Sequence, residues 1–160
     1  MTMYPPPPQS PDTTFSDYGS ASGPRAGFWR RFFGLLVDLI IILLIAVIVG
    51  SILGTTAPGL GGNAVGVIGY VIGPVYYTLM IGSSRGQSIG QMALGIRVID
   101  LNTGGRIGYA RAFIRWLVAI ISGLALLIGY LWMLWDKEKQ CWHDKAANDV
   151  VVPVSYYPIS

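Results

Sequence analysis

Charge is what this sequence has least of. Only 12% of its 160 residues are Asp, Glu, Lys or Arg, about half the share of a soluble domain, and the mean hydropathy is +0.54. A chain so short of charge has little with which to face water, so its expected solvent is lipid. One cysteine, Cys141, excludes an intrachain disulfide framework and leaves the redox compartment open. One histidine, His143, stands two positions further on; together they fall short of the three or four ligands zinc takes, so the group reads as a polar helix end, and neither metal nor cofactor is expected. No G-x-S-x-G elbow presents a nucleophile, and Gly86-x-x-x-Gly90 lacks the G-K-[ST] ending of a phosphate loop. An enzyme is therefore not expected. The net charge is a mild +3, carried mostly by arginines beside apolar segments. That pattern suits membrane orientation; a nucleic-acid binder would show a basic face on a soluble module.

Residues 1–24 hold six prolines and no Lys or Arg. They bury too little apolar surface to offset their ordering entropy and are expected to be a disordered spacer, with Pro5–Pro8 favouring polyproline II. A run then begins that dominates the chain: from Phe32 to Gly54 one ionisable residue, Asp38, occurs in 23 positions. At about 1.5 Å per residue this crosses a hydrocarbon core of about 30 Å. It is longer than a signal-peptide core and ends without an A-x-A site, so a retained span is expected. Thr56–Asn63 is an uncharged turn. A second apolar helix is predicted over Ala64–Ile81, antiparallel to the first. Gly50/Gly54 and Gly69/Gly73 have the small-xxx-small spacing that lets two backbones approach in lipid. Pro74 predicts a kink.

Residues 82–111 turn polar and amphipathic. A short helix over Ser88–Leu94 and a β-hairpin of Gly95–Leu101 with Arg106–Tyr109 around Asn102–Gly105 are predicted, forming a small lid on one side of the membrane. The third apolar segment, Trp116–Trp135, has two readings. One crossing suits its length and would put the tail outside. A break near Gly123 or Gly129 would turn it back, allowing the strand-like Val150–Val154 to pair with Gly95–Leu101. Basic residues before the first helix and after the second, against a turn with none, predict a cytoplasmic N-terminus.

A carboxylate inside an apolar helix costs about 2.5–3.5 kcal/mol and must find a partner. Asp38 lies seven residues from Arg31, about 10 Å along one helix face; Arg111 or Arg115 is the second expected partner. Asp38 reads either as a proton- or cation-binding group or as half of a structural ion pair. A chain of three helices can hardly enclose a pore, so the transport reading requires an oligomer.

The stretch AGFWRRFFGLLVD (Ala26–Asp38) resembles the opening of the RDD family of small integral membrane proteins. GQSIGQ (Gly86–Gln91), GIRVID (Gly95–Asp100), Arg115 and KEKQCWHDKAANDVVV (Lys137–Val152) follow in the family's order. The departures are Ser88 where the family has threonine, Gln91 where it has lysine, and Gly34 where alanine is common. The proline-rich tail resembles members called proline-rich antigens. The resemblance implies an arginine and two aspartates, which fall on Arg31, Asp38 and Asp144, with Arg115 as a fourth member. It suggests transport, including sodium/proton exchange in some members.

The expected protein is thus an all-α membrane protein with three apolar helical segments and a cytosolic amphipathic/β-hairpin lid. Residues 1–24 are its disordered tail, 25–154 its transmembrane domain and 155–160 its C-terminal tail. It is expected as a multi-pass protein of the plasma membrane, its partners the bilayer and a homo-oligomer or membrane complex, with no nucleic acid. Arg31, Asp38, Asp144 and Arg115 either line an ion or proton pathway or lock the fold of a scaffold.

Overall fold

The computed structural model describes residues 21, 23–56, 64–125 and 128–158. The tail prediction for residues 1–24 and the turn after Thr56 therefore lie mostly outside the described residues. Ala21, Gly23 and Pro24 are exceptions: Ala21 is buried and donates its N–H to Leu101 O, and Gly23 donates to the Tyr157 hydroxyl.

Helix α1 spans Phe28–Thr56. In hydrocarbon a chain must satisfy its own backbone groups, which makes a helix the solution for a long apolar run. Its burial pattern runs opposite to that of a soluble core helix. Only Gly34, Asp38, Ala46 and Gly50 are buried, positions a multiple of four apart on one stripe. Leu36, Leu39, Ile40, Leu43, Leu44, Val47, Ile48 and Ile52 are all exposed. Small and polar residues turned inward with large apolar ones turned outward is the packing logic of a lipid-embedded helix.

Helix α2 covers Ala64–Gly82 with Pro74 inside it, and packs on α1 and on α4 (Gly108–Leu124). Gly54, Gly69 and Gly73 do not make the predicted close approach. A Cβ at Gly54 or Gly69 would meet nothing within 4 Å, and one at Gly73 only the Trp116 indole. The tight backbone contact lies between α1 and the short α3 (Ile89–Ala93), where a Cβ on Gly90 would collide with the Gly34 carbonyl oxygen.

Three independent apolar crossings are not what the helix lengths give. Among the described residues α1 alone is long and apolar enough to cross a membrane, and α2 contributes a shorter apolar stretch, Gly66–Gly82. The third segment is broken. Its first part, α4, begins at Gly108, well ahead of Trp116, so Arg111 and Arg115 lie inside the helix. The chain then bends by 112° into α5 (Ile128–Leu131) and a 3-10 turn at Trp132–Leu134. The break falls between the two glycines expected to make it.

The predicted hairpin does not form, whereas the pairing of the Val150–Val154 run with Gly95–Leu101, expected if the third segment turns back, does. Strand β1 (Ile96–Asp100) is antiparallel to β2 (Asp149–Pro153), with Ile96 opposite Pro153 and Asp100 opposite Asp149. Asn102–Gly105 does turn, held by Asn102 and Thr103 N–H donating to Asp100 Oδ1. Arg106–Ile107 leads straight into α4 instead of returning as a strand. The reason is burial. All ten strand residues are buried, and a run of valines fills both faces where Arg106, Gly108 and Tyr109 would leave them open. Ile96, Val98 and Val151 pack with Ala26, Ile81, Ile107 and Ala112; Ile99, Val150 and Val152 pack with Ala21 and Tyr157. Gly86, at φ 61°, lets its carbonyl accept from Val98 N–H at 2.7 Å.

Candidate functional site

Helix α6 (Trp142–Ala147) is the piece that assembles the site. Asp144 stands at its third position, and its Oδ2 accepts the Cys141 N–H at 2.8 Å, capping the helix start. The same oxygen accepts Arg31 Nη1 from the first turn of α1 at 2.5 Å. Oδ1 accepts Arg115 Nη1 from α4. At the other end of α6, Asn148 adopts a left-handed conformation (φ 51°) and swings the chain into β2. That brings Asp149 onto the same Arg115 Nη1. Asp144 and Asp149 are fully buried.

Charge and burial divide these groups. Burial alone would raise the Asp144 carboxyl, but Arg115 and Arg31 outweigh it and hold it well below the usual carboxylate range. Burial pushes Asp149 well above that range; Arg115 opposes the rise and the Asp144 charge reinforces it. The two carboxyls of the pair are thus shifted in opposite directions. Burial lowers His143 to about 3 against the attraction of Asp144, so its ring is neutral. Burial, then Asp144, pushes the Cys141 thiol up to about 12.

Arg31, Asp144 and Arg115 thus come together as one network, joined by Asp149, which no pattern in the sequence marked. Asp38 stands apart from it. Its Oδ1 accepts the Tyr76 hydroxyl at 2.7 Å and Gly90 N–H at 2.8 Å, and its Oδ2 accepts the Ser88 hydroxyl at 2.6 Å. Among the described residues no arginine reaches it, so the expected pairing with Arg31, Arg111 or Arg115 is corrected. Arg31 is drawn to Asp144, and Arg111 pairs with Asp100 and the carbonyls of Ala147 and Asn148. The expectation counted only cations, whereas hydroxyls and a backbone amide meet the acid. Ser88 has two jobs: it caps α3, with Gln91 closing the capping box, and it donates to Asp38. Tyr76, which no motif singled out, was legible at best as a hydroxyl on a neighbouring helix.

Ligand atoms of Cys141, His143 and Asp144 lie within 4.8 Å of one another. They suit a cation poorly. Asp144 already serves two guanidiniums, which repel a metal, and Cys141 is held as the neutral thiol. Beside the network lies a cavity of about 360 Å³, lined by Arg31, Asp38, Tyr77, Gln91, Arg115 and His143 within largely apolar walls.

The outward apolar faces, the small sheet and the buried arginine–aspartate network define a membrane-associated helical domain. The match to the RDD family runs over residues 25–148, and the chain belongs to that family. It is similar to the proline-rich antigen homolog of Mycobacterium tuberculosis, 35% identical over 69 residues, 43% of this chain and 29% of that protein. The proline-rich antigen of Mycobacterium leprae is 33% identical over 71 residues, 44% of this chain and 28% of its own length. The matched stretches thus span less than a third of these curated relatives. The uncharacterized protein YxaI of Bacillus subtilis is 28% identical over 147 residues, 79% of this chain and 96% of that protein. No solved structure matches.

Proposed function

We propose that this chain is a multi-pass plasma-membrane scaffold or interaction protein whose charged residues lock a cytoplasmic cap onto the membrane helices. The observation that carries the reading is the saturation of its two best-placed carboxylates. Both oxygens of Asp38 and both of Asp144 are met by donors from the protein itself. A transported proton or cation would have to displace those donors in each cycle. The cytoplasmic placement is supported by the chain's basic ends: the sheet ties residues 96–100 and 149–153 to Ala26, whose N–H donates to Val151 O. Arg25, Arg30, Arg85, Arg106 and Lys137 therefore belong to the same end as the start of α1, as the positive-inside rule requires.

One observation favours transport as a second reading, since Asp38 lines the cavity. Asp38→Asn separates the two. On the scaffold reading the variant melts lower and accumulates less. If it keeps its melting temperature and loses ion flux in proteoliposomes, transport is the function. Topology is tested with Lys137→Cys, an exposed position, by labelling intact cells against lysates; labelling of intact cells by an impermeant reagent would refute a cytoplasmic tail. The native Cys141 is buried and stays silent.

A further inference from the structure

We propose that the cavity is a binding site for an anionic amphiphile, its hydroxyl-bearing acidic headgroup at Arg31 and His143 and its acyl chain between α1 and α4. At about 360 Å³ its volume falls in the range of small-molecule sites, about 300–1,000 Å³. Three of its lining residues carry buried polar atoms with no partner among the described residues: Arg31 Nη2, Tyr77 Oη and His143 Nδ1. Buried polar groups are rarely left so, because each unmade bond is a standing cost. The chemistry of the three atoms selects the headgroup. Arg31 Nη2 is a charged donor and calls for an anionic oxygen. His143 Nε2 lies 3.4 Å from Asp144 Oδ1, so the neutral ring turns its proton there and leaves Nδ1 as an acceptor. That atom calls for a hydroxyl. Tyr77 can give or take.

The local charge agrees. Two guanidiniums, Arg31 and Arg115, line the cavity, and the carboxylate they share, Asp144, is not among its lining residues. Asp38 also lines the cavity, its two oxygens already accepting from Tyr76, Ser88 and Gly90. The apolar wall decides between a lipid and a free anion. Phe32, Leu39, Ile120 and Leu131 line the cavity and are also 44%, 52%, 40% and 37% exposed. The wall therefore runs out onto the surface that faces lipid, giving an acyl chain a lateral way in from the bilayer. The inference rests on the membrane reading of α1 and goes beyond the scaffold role.

The test uses the full chain purified in detergent, with native mass spectrometry after adding phosphatidylglycerol or phosphatidylcholine of the same acyl length. Phosphatidylglycerol should be retained about ten-fold better, the factor carried by one charge-assisted hydrogen bond. Ala119→Phe, which fills the cavity, should abolish that preference, and Leu39→Phe should do so from the opposite wall if the first variant fails to accumulate. Leu44→Phe, on the exposed surface of α1 away from the lining, should keep it. Equal retention of both lipids, or a preference that survives cavity filling, would overturn the proposal. So would displacement by millimolar inorganic phosphate, which would make a free anion the ligand. Release of the chain from membranes by alkaline carbonate would overturn the membrane reading itself, and is seen before any lipid is added.

Discussion

Asp144→Asn keeps the shape of the side chain and removes its charge, so it isolates what the buried network contributes. The amide oxygen can still accept the Cys141 N–H. Arg31 Nη1, at 2.5 Å, and Arg115 both lose their anion. Removing one partner from a buried ion pair costs about 3–5 kcal/mol. Asp149 softens the loss: it already shares Arg115, and the charge of Asp144 is part of what raises its carboxyl. Once that charge is gone the Asp149 carboxylate is favoured beside Arg115, which puts the expected cost at the lower end, about 3 kcal/mol. For a chain of this length each kcal/mol moves the melting temperature by about 2–4 °C, so a fall of about 6–12 °C is expected. Thermal scans of detergent-solubilised protein, read by fluorescence-detected size exclusion, measure it. Glu138→Gln is the control. It breaks the pair with Arg25, in which the Glu138 side chain is 48% exposed, and such a pair contributes about 0–1 kcal/mol. Arg31→Met added to Asp144→Asn should cost less than it does alone, because the two share one bond. An Asp144→Asn variant melting within about 2 °C of wild type, with additive behaviour toward Arg31→Met, would refute the network's role.

Three further outcomes are expected. Burial pushes the His143 imidazole down to about 3, against about 6.5 in the unfolded chain; unfolding takes up a proton between those values, so stability should fall by about 1.4 kcal/mol per unit as pH drops below about 6.5. Melting scans from neutral pH downward, wild type against His143→Gln, should differ with that slope, and parallel curves would show the ring is not buried neutral. Gly90→Ala would put a methyl against the Gly34 carbonyl and 2.9 Å from the Asp38 carboxyl, at a cost of about 1–3 kcal/mol; an unshifted melting temperature would contradict the contact between α1 and α3. Ser88→Ala removes the α3 cap and a donor to Asp38 and should cost about 2 kcal/mol, while Ser88→Thr should keep most of the stability; equal loss in both would mean the hydroxyl is not what matters.

The first helix was legible because a property of each residue alone, its transfer into lipid, adds along a contiguous run. The family motifs and their order were legible for the same reason, being strings of neighbours. The hairpin expectation failed where a local turn signal, Asn102–Gly105, was correct and its consequence was not. The turn forms, but β1 takes the partner that fills both its faces, and that partner lies 49 or more residues further along the chain. The Asp38 expectation failed differently. Helical spacing put it on a face with Arg31, yet that guanidinium goes to Asp144, which it shares with Arg115 and which stands 113 positions away in sequence and 2.5 Å away in space.

What the sequence by itself determined is the solvent of the chain, the helix at its head and the identities of its few ionisable residues, because those follow from composition summed over adjacent positions. Only the tertiary structure decided which acid meets which arginine, which of the two strand pairings that the sequence offered forms, and that unmet polar atoms gather around one largely apolar cavity. Those outcomes depend on where the 112° bend and the left-handed Asn148 steer the returning chain. A contact between distant residues is a property of that path and of no residue on it.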